Sequence, residues 1–504
     1  MLNMITQRPF IFLRRYTAMA GTLTKKKKIG YAFGIFTESL IYNMFYTYYL
    51  TFLIEIVGIQ AKFASIVIFI SIAWDAITDP IIGNYTDRGG VDKRKVMKGA
   101  LLPLGVIFIA AWTTIGAGLT SQTAKILIYT VISMAIWVFY TMYTIPYYAV
   151  VAELTEDYDE RTNIRSTASL LNAGAVGLGN VLPALVPTVA ILLGERFASN
   201  SYAVIAAIIS IMAVALGFVC VKSLKGVYTP KPVTPENSKS TLKDTFNAFG
   251  QILKLKPAKF FLIFVFFFLT ASSMIQSNLT YMVVDCIGMD YDTGIVYVII
   301  SMVVSMAIVV PIVEKVAEKT DRRTASIIFL TITMVGEIIA KLVGLDAQIG
   351  NFRVMSIVCA AILGMGIGTF WTFFYSMGYD LVELDEFKTG QRRESIITAL
   401  PQLIQKFGSA FGILMAGQLL SAYGYDSSKD TAGQESLITV VTDPHIVGGM
   451  ENISTVIPAA FLAVSIIALI FYPMTRKNVS KLMAALNKKR AGEEYSTEGL
   501  EKLL

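Results

Sequence analysis

Histidine is almost missing from this chain of 504 residues: the single one, His445, lies in a polar loop, which excludes a buried histidine proton relay. Cysteine is nearly as scarce. Cys220, Cys286 and Cys359 fall in or at the ends of apolar segments with no CxxC spacing, so neither a disulfide framework nor a zinc site is indicated. Charge is scarce too: 16% of residues are Asp, Glu, Lys or Arg, where a soluble domain carries about 25%. There is no nucleotide-binding loop, no HExxH, no GxSxG with the partners of a triad, and no large soluble segment, which leaves a membrane-embedded enzyme or sensor without its parts. A secretory signal peptide is also absent, because Arg8, Arg14 and Arg15 interrupt the N-terminal apolar residues. That segment is expected to be an interfacial helix or, with Met19 as the start, no part of the protein.

Apolar residues make up 55% of the chain, and its mean hydropathy is +0.61. Apolar runs of about twenty residues, enough to cross a hydrocarbon core about 30 Å thick, recur at 29–54, 63–84, 97–118, 124–150, 166–190, 201–221, 259–284, 293–316, 325–345, 352–381, 395–422 and 453–474. These predict an all-α integral membrane protein with about twelve transmembrane helices. A polar stretch rich in lysine, with Pro230, Pro232 and Pro235, interrupts the series at mid-chain. The expected organisation is an N-terminal segment (1–28), a six-helix bundle (29–221), a central loop (222–258), a second six-helix bundle (259–475) and a tail (476–504).

The net charge of +7 does not point to nucleic acid, because the basic residues are sorted by loop. Lys25–Lys28, Arg88 with Lys93–Lys95, Arg161 and Arg165, Lys319–Arg323, Lys388–Arg393 and the tail from Arg476 share one side; the opposite loops hold scattered Lys62, Arg196, Arg353 and Lys429. The positive-inside rule places both termini and the central loop in the cytoplasm, with the lipid bilayer of the cell membrane as solvent. The halves also echo one another. AELTEDYDERTNIRSTAS (152–169) and DLVELDEFKTGQRRESIITA (380–399) both read as acidic turn, arginine, then apolar helix. GNYTDRGGVDKRK (83–95) has its counterpart in EKVAEKTDRRT (314–324). Two parallel repeats of six helices are a transporter pattern, with substrate bound at mid-membrane between them.

The chemistry concentrates in IAWDAITDPIIGNYTDR, Ile72 to Arg88. Asp75 and Asp79 stand four residues apart, on one helix face with Cβ atoms about 5–6 Å apart. Two like charges in an apolar run repel and cost several kcal/mol; a cation between them removes both penalties. Pro80 and Gly83 follow, so irregular backbone with spare oxygens is expected there. Hard cations take oxygen ligands, and close carboxylates equally share a proton; sodium and proton stay open as the coupling ion. Lys406, about a dozen residues into its apolar run, calls for a carboxylate partner. Glu337 and Lys341, i and i+4 on one helix, read as an ion pair.

GNYTDRGGVDKRK resembles the loop between the second and third helices of the major facilitator superfamily. YAFGIFTESL…EIVG (31–58), WDAITDP (74–80), YTMYTIPYYAVVAELT (140–155), FWTFFYSMGYDLVELDEFKTGQRRESI (370–396) and QKFGSAFG (405–412) resemble, in order and spacing, the glycoside–pentoside–hexuronide:cation symporters. The resemblance runs from about residue 28 to 475. It implies the major facilitator fold, with two pseudo-symmetric six-helix bundles, and a transporter that is not an enzyme and needs no organic cofactor. It implies that Asp75 and Asp79 bind the coupling Na+ or H+, with Thr78 and Thr141 as further oxygens, and that Lys406 stands near the cation and sugar sites. The family's sugar ligands carry over less well. An aspartate of the first helix, one of the fourth and an arginine of the fifth correspond to Ser39, Thr144 and, after Arg161, Ser169. Glu38 and Arg165, close to the lost charges, are the compensating candidates, and Tyr148 and Trp371 match aromatic positions of the pocket. Glu38, Tyr42, Asn43, Phe45 and Tyr46, with Tyr140, Tyr143, Thr144, Tyr147 and Tyr148, are the residues available to line the cavity. The implied function is symport of Na+ or H+ with a glycoside or small oligosaccharide; the alternative is a less polar solute such as an aromatic glycoside, an aglycone or a lysolipid.

Overall fold

The computed structural model describes residues 24–504 apart from 88–89, 155–157, 195–198, 231–246, 248, 349–352, 391–393, 426–439, 501–502 and 504. The regular structure of the described residues is all helical. In order come α1 (Lys25–Ala32), α2 (Ile35–Thr51), a π-turn (Phe52–Ile56), α3 (Ala61–Asp87), α4 (Lys93–Ala111), α5 (Gln122–Leu154), α6 (Tyr158–Ala184), α7 (Val186–Leu193) and α8 (Ser201–Ser223). The second half holds α9 (Lys256–Ser277), a second π-turn (Met282–Cys286), α10 (Tyr291–Lys319), α11 (Arg322–Val343), α12 (Val354–Thr389), α13 (Glu394–Ala422), α14 (Pro444–Ser454), α15 (Val456–Phe471) and an amphipathic α16 (Arg476–Ala491). Among the described residues nine helices are long and apolar enough to cross a membrane, or ten when α6 and α7, bent by 44° beside Pro183 and Pro187, count as one span. The other two apolar runs are also helical: α1–α2 is interrupted at Phe33 and Gly34, and α4 carries Lys93, Arg94, Lys95 and Lys98 in its first turns.

Several segment ends differ from those expected, each for a local reason. α4 begins at Lys93 because the Asp92 carboxylate accepts from the Arg94 N–H at 3.0 Å and caps the helix there. α12 continues two turns past the expected end, to Gly390, whose left-handed conformation (φ 71°) terminates it. The last span breaks at Thr455, three residues before Pro458. His445 is not in a loop: it occupies the first turn of α14, exposed, with its N–H on Asp443. α3 also runs unbroken through Pro80, so the expected irregularity reduces to an Ala76 carbonyl without its helical donor.

The Glu337–Lys341 pair is not formed. Lys341, at the end of α11, reaches outward to Glu451 on α14, while Glu337, 5% exposed, has no hydrogen-bond partner among the described residues. A carboxyl buried without a partner opposes stability, and an apolar residue of similar volume removes that cost. Glu337→Met is expected to raise the melting temperature of the purified protein by a few degrees, checked by scanning fluorimetry; an unchanged or lower value contradicts this placement.

The core divides in a way that shapes the molecule. One apolar cluster joins both halves, from Leu40, Tyr49 and Trp137 to Met274, Tyr281, Ile413 and Ile453. Two others keep to one half each: Tyr31, Met97, Tyr147 and Leu224 in the first, Phe261, Phe370, Leu381 and Leu469 in the second. The latter two lie at the end that carries Lys25 and α16, which we call the basic end. The halves therefore share one core at the opposite end and separate toward the basic end.

A second internal repeat marks that opposite end. FLIEIVG (52–58) and MVVDCIG (282–288) each form a π-turn holding an acid, Glu55 or Asp285, and stop on a glycine with positive φ, Gly58 at 73° and Gly288 at 69°. The Val57 and Ile287 N–H groups bond back to the Phe52 and Met282 carbonyls at 3.1 and 2.9 Å. A cation from the start of a later helix caps each end. Lys125 donates to the Val57 carbonyl at 2.7 Å, and Arg353 donates to that of Ile287, where a cation also complements the helix dipole.

Candidate functional site

Asp75 and Asp79 project from the middle of α3 toward α5 and α13. The Thr141 hydroxyl on α5 lies 2.5 Å from Asp75 Oδ1 and 3.0 Å from Asp79 Oδ1, bridging the two carboxylates. Lys406, from α13 in the other half, places Nζ 2.6 Å from Asp75 Oδ2 and in direct contact with Asp79 Oδ2. The Asp75 side chain is 1% exposed, against 25% for Asp79 and 21% for Lys406. The pair therefore has one closed flank and one that opens toward the interior between the halves.

Lys406 is held there by close helix packing. A methyl group at Gly408 would lie 2.7 Å from the Phe266 carbonyl oxygen, and Gly412, one turn on, meets the Thr270 carbonyl in the same way. These glycines let α13 lie against α9 backbone to backbone, as small residues do in membrane helix pairs. Thr270 adds a hydrogen bond to the Gly408 carbonyl at 3.1 Å.

Thr78 is spent on its own helix: its hydroxyl donates to the Asp75 carbonyl at 3.0 Å rather than to either carboxylate. The substrate candidates gather on α2, α5, α6 and α12. The Tyr148 hydroxyl donates to Glu38, and the Ser39 hydroxyl donates to Asn172 Oδ1. Asn43 donates to the Ser39 carbonyl at 2.7 Å and accepts from Asn180 at 3.0 Å. Thr144, one turn after Thr141, is buried, and Trp371 on α12 is half-buried against Phe374, ring centroids 5.6 Å apart. Arg165 stands in α6, but its side chain lies outside the described residues.

Several aromatics considered for the cavity belong to the core instead. Phe45, Tyr46, Tyr140, Tyr143 and Tyr147 are all buried, and Tyr147 stacks on Tyr31 at 4.7 Å. Tyr148, at 39% exposure, remains open to the space between the halves. Asn172 and Asn180 are additions. Eight residues apart, they lie on one face of α6 and join it to α2, with Thr47 and Tyr48 also bonding Asn180 at 2.9 and 2.5 Å. Two asparagines at that spacing in an apolar run were the readable signal.

The chain matches the family model described as MFS/sugar transport protein over residues 30–476. It is 23% identical to the isoprimeverose transporter of Lactiplantibacillus pentosus, covering 93% of this chain and 92% of that protein. It is also 23% identical to the inner membrane symporter YicJ of Escherichia coli, covering 95% and 99%. Among solved structures, a bacterial homologue of the human lysosomal transporter Spinster superposes with a TM-score of 0.63 at 11% identity, over 89% of this chain and 97% of that one. The D-xylose–proton symporter does so with 0.58 at 12%, over 89% and 96%. These structures establish the major facilitator architecture, an all-α fold spanning the membrane many times. The chain belongs to the MFS/sugar transport protein family and is a secondary transporter, not an enzyme.

Proposed function

We propose that this protein is a symporter of the glycoside–pentoside–hexuronide type, coupling influx of Na+ or H+ to uptake of a glycoside or small oligosaccharide. The observation that carries the reading is the Lys406 ammonium between the carboxylates of Asp75 and Asp79. It comes from the opposite half, so an ion that takes those oxygens must displace a tether between the halves. Na+ would find the two carboxylates with the Thr141 oxygen, and Thr78 one turn away; a proton would take one carboxylate and leave the other. Na+ on both carboxylates displaces Lys406 and loosens α13 from α3, whereas a proton on one carboxylate leaves Lys406 a single partner and weakens the same tether.

The basic end is the cytoplasmic face, with both termini on the cytoplasmic side of the cell membrane, and the bundles span 29–221 and 259–475. On this orientation, the halves joined at the far end correspond to a state closed outside and open inside. The solute binds between the halves, its hydroxyls on Glu38, Ser39, Asn43, Thr144 and Arg165 and its ring faces on Tyr148 and Trp371. Each charge moved inward gains about 2.3 kcal/mol per 100 mV, enough to drive accumulation. Ion and solute raise one another's affinity by the same factor. A less polar solute, such as an aromatic glycoside, an aglycone or a lysolipid, is the second reading, favoured by the uncharged residues at Ser39, Thr144 and Ser169.

Reconstituted vesicles test the proposal. Under an inward Na+ or H+ gradient, a panel of labelled glycosides should include one that accumulates above the external concentration. Equilibration without accumulation, whatever the gradient, would contradict coupling. Within the same assay, Tyr148→Phe and Glu38→Gln should each raise KM roughly tenfold, the loss of one charge-assisted hydrogen bond, with kcat within about twofold.

A further inference from the structure

The outer end of the molecule holds a carboxylate that ion binding does not use. Glu55, in the first π-turn, accepts from the Tyr281 hydroxyl at 2.8 Å and from the Tyr425 hydroxyl at 2.5 Å. Both tyrosines belong to the other half: Tyr281 immediately precedes the second π-turn, and Tyr425 follows α13. Around them the halves meet closely. Gln418 donates to the Lys62 carbonyl at 2.8 Å, a methyl group at Gly417 would lie 2.7 Å from the Ala61 carbonyl oxygen, and the Tyr202 and Tyr291 hydroxyls are 3.3 Å apart.

The two π-turns are built alike but used differently. Asp285, the counterpart of Glu55, accepts from the Val441 N–H at 2.8 Å within its own half. The π-turn carries Glu55 beyond the regular helical register, to the outermost turn of its rod, and the Lys125 bond to Val57 fixes that turn. The C-terminal half presents two hydroxyl donors to the carboxylate.

We propose that Glu55, Tyr281 and Tyr425 form a latch that holds the outer gate shut, making them positioning residues of the transport cycle. This rests on the alternating-access reading above. In the outward-open state the hydroxyls must leave the carboxylate, and water replaces them; in the closed state the three groups satisfy one another as the end dries. Charge-assisted hydrogen bonds suit such a gate, being strong when water is excluded and exchangeable when it returns.

The test is two-sided thiol labelling of purified protein in vesicles of defined orientation, with a membrane-impermeant maleimide. Ser65→Cys reports the outer end, since Ser65 is fully buried beside Gly417. Tyr375→Cys reports the inner cavity, where Tyr375 is 50% exposed. The native thiols are free and buried and supply a low background. Combining Tyr281→Phe with Tyr425→Phe should speed labelling at position 65 by about tenfold or more, as loss of two charge-assisted bonds predicts, and slow it at position 375. Glu55→Gln should act in the same direction, and Asp285→Asn should change neither rate.

Faster labelling at both positions would mean general loosening and would overturn the latch. Gly417→Leu, which props the outer end apart, serves as reference. If it shifts both reporters in opposite directions while the latch variants shift neither, the latch is wrong and alternating access stands. If it shifts neither, alternating access falls, and the latch with it.

Discussion

Asp75→Asn abolishes uptake against a gradient. Asp75 is the closed side of the pair: its carboxylate takes the Thr141 hydroxyl on one oxygen and the Lys406 ammonium on the other, at 1% exposure. Asparagine keeps the volume and removes the charge. The ion site then holds a single carboxylate, Asp79, which is already matched by Lys406, and neither Na+ nor H+ has reason to enter. Gradient-driven uptake should fall at least about a hundredfold, equivalent to about 2.7 kcal/mol of coupling, while monodispersity in detergent is kept. Asp79→Asn should behave alike. The double variant should express poorly, because Lys406 is left in an apolar setting without a partner, a loss that costs about 3–5 kcal/mol for a buried pair. Accumulation retained by either single variant would remove the carboxylates from the coupling role.

Lys406→Met separates binding from transport. Without the ammonium, Asp75 and Asp79 are left as two like charges close together, without a counter-charge. Binding an ion then relieves repulsion instead of displacing a tether. Ion affinity should rise about tenfold or more, one tenfold step being about 1.4 kcal/mol, whereas gradient-driven uptake should fall at least about a hundredfold because the ion no longer changes how α13 is held to α3. The ion-binding isotherm and the uptake rate, measured on one preparation, check both halves of this expectation. Weaker ion binding in the variant would make Lys406 a supporting residue and not a competitor.

Much of this was readable from residues alone, for identifiable reasons. Asp75 and Asp79 stood out because charge inside an apolar run has few innocuous explanations, and Lys406 because its run was too long for its ammonium to reach either surface easily. Helix positions followed from hydropathy, which the bilayer imposes on every span. Ends were less legible, since they depend on single caps such as Asp92 and Gly390.

Partners of surface-directed side chains were the least legible. Lys341 has two carboxylates within reach, and only the fold shows that Glu451 on α14 is the one it meets. The tyrosines of α5 look identical in sequence, yet Tyr143 and Tyr147 are core and Tyr148 is open, because only one face of that helix borders the space between the halves. The paired π-turns carried a signal that periodicity arguments pass over: an acid followed three residues later by glycine, once in each half, at Glu55–Gly58 and Asp285–Gly288.

The account turns on an ion entering between Asp75 and Asp79 and on that event being felt by the solute site. Isothermal calorimetry on the purified protein measures this directly, by titrating NaCl with and without a transported glycoside and using Asp79→Cys as control. The account predicts saturable Na+ binding that the variant loses and that the glycoside tightens or, for a proton-coupled carrier, proton release when the ion pair reforms and uptake when solute binds, again absent from the variant. Neither Na+ heat nor solute-linked proton exchange in the wild-type protein would contradict it.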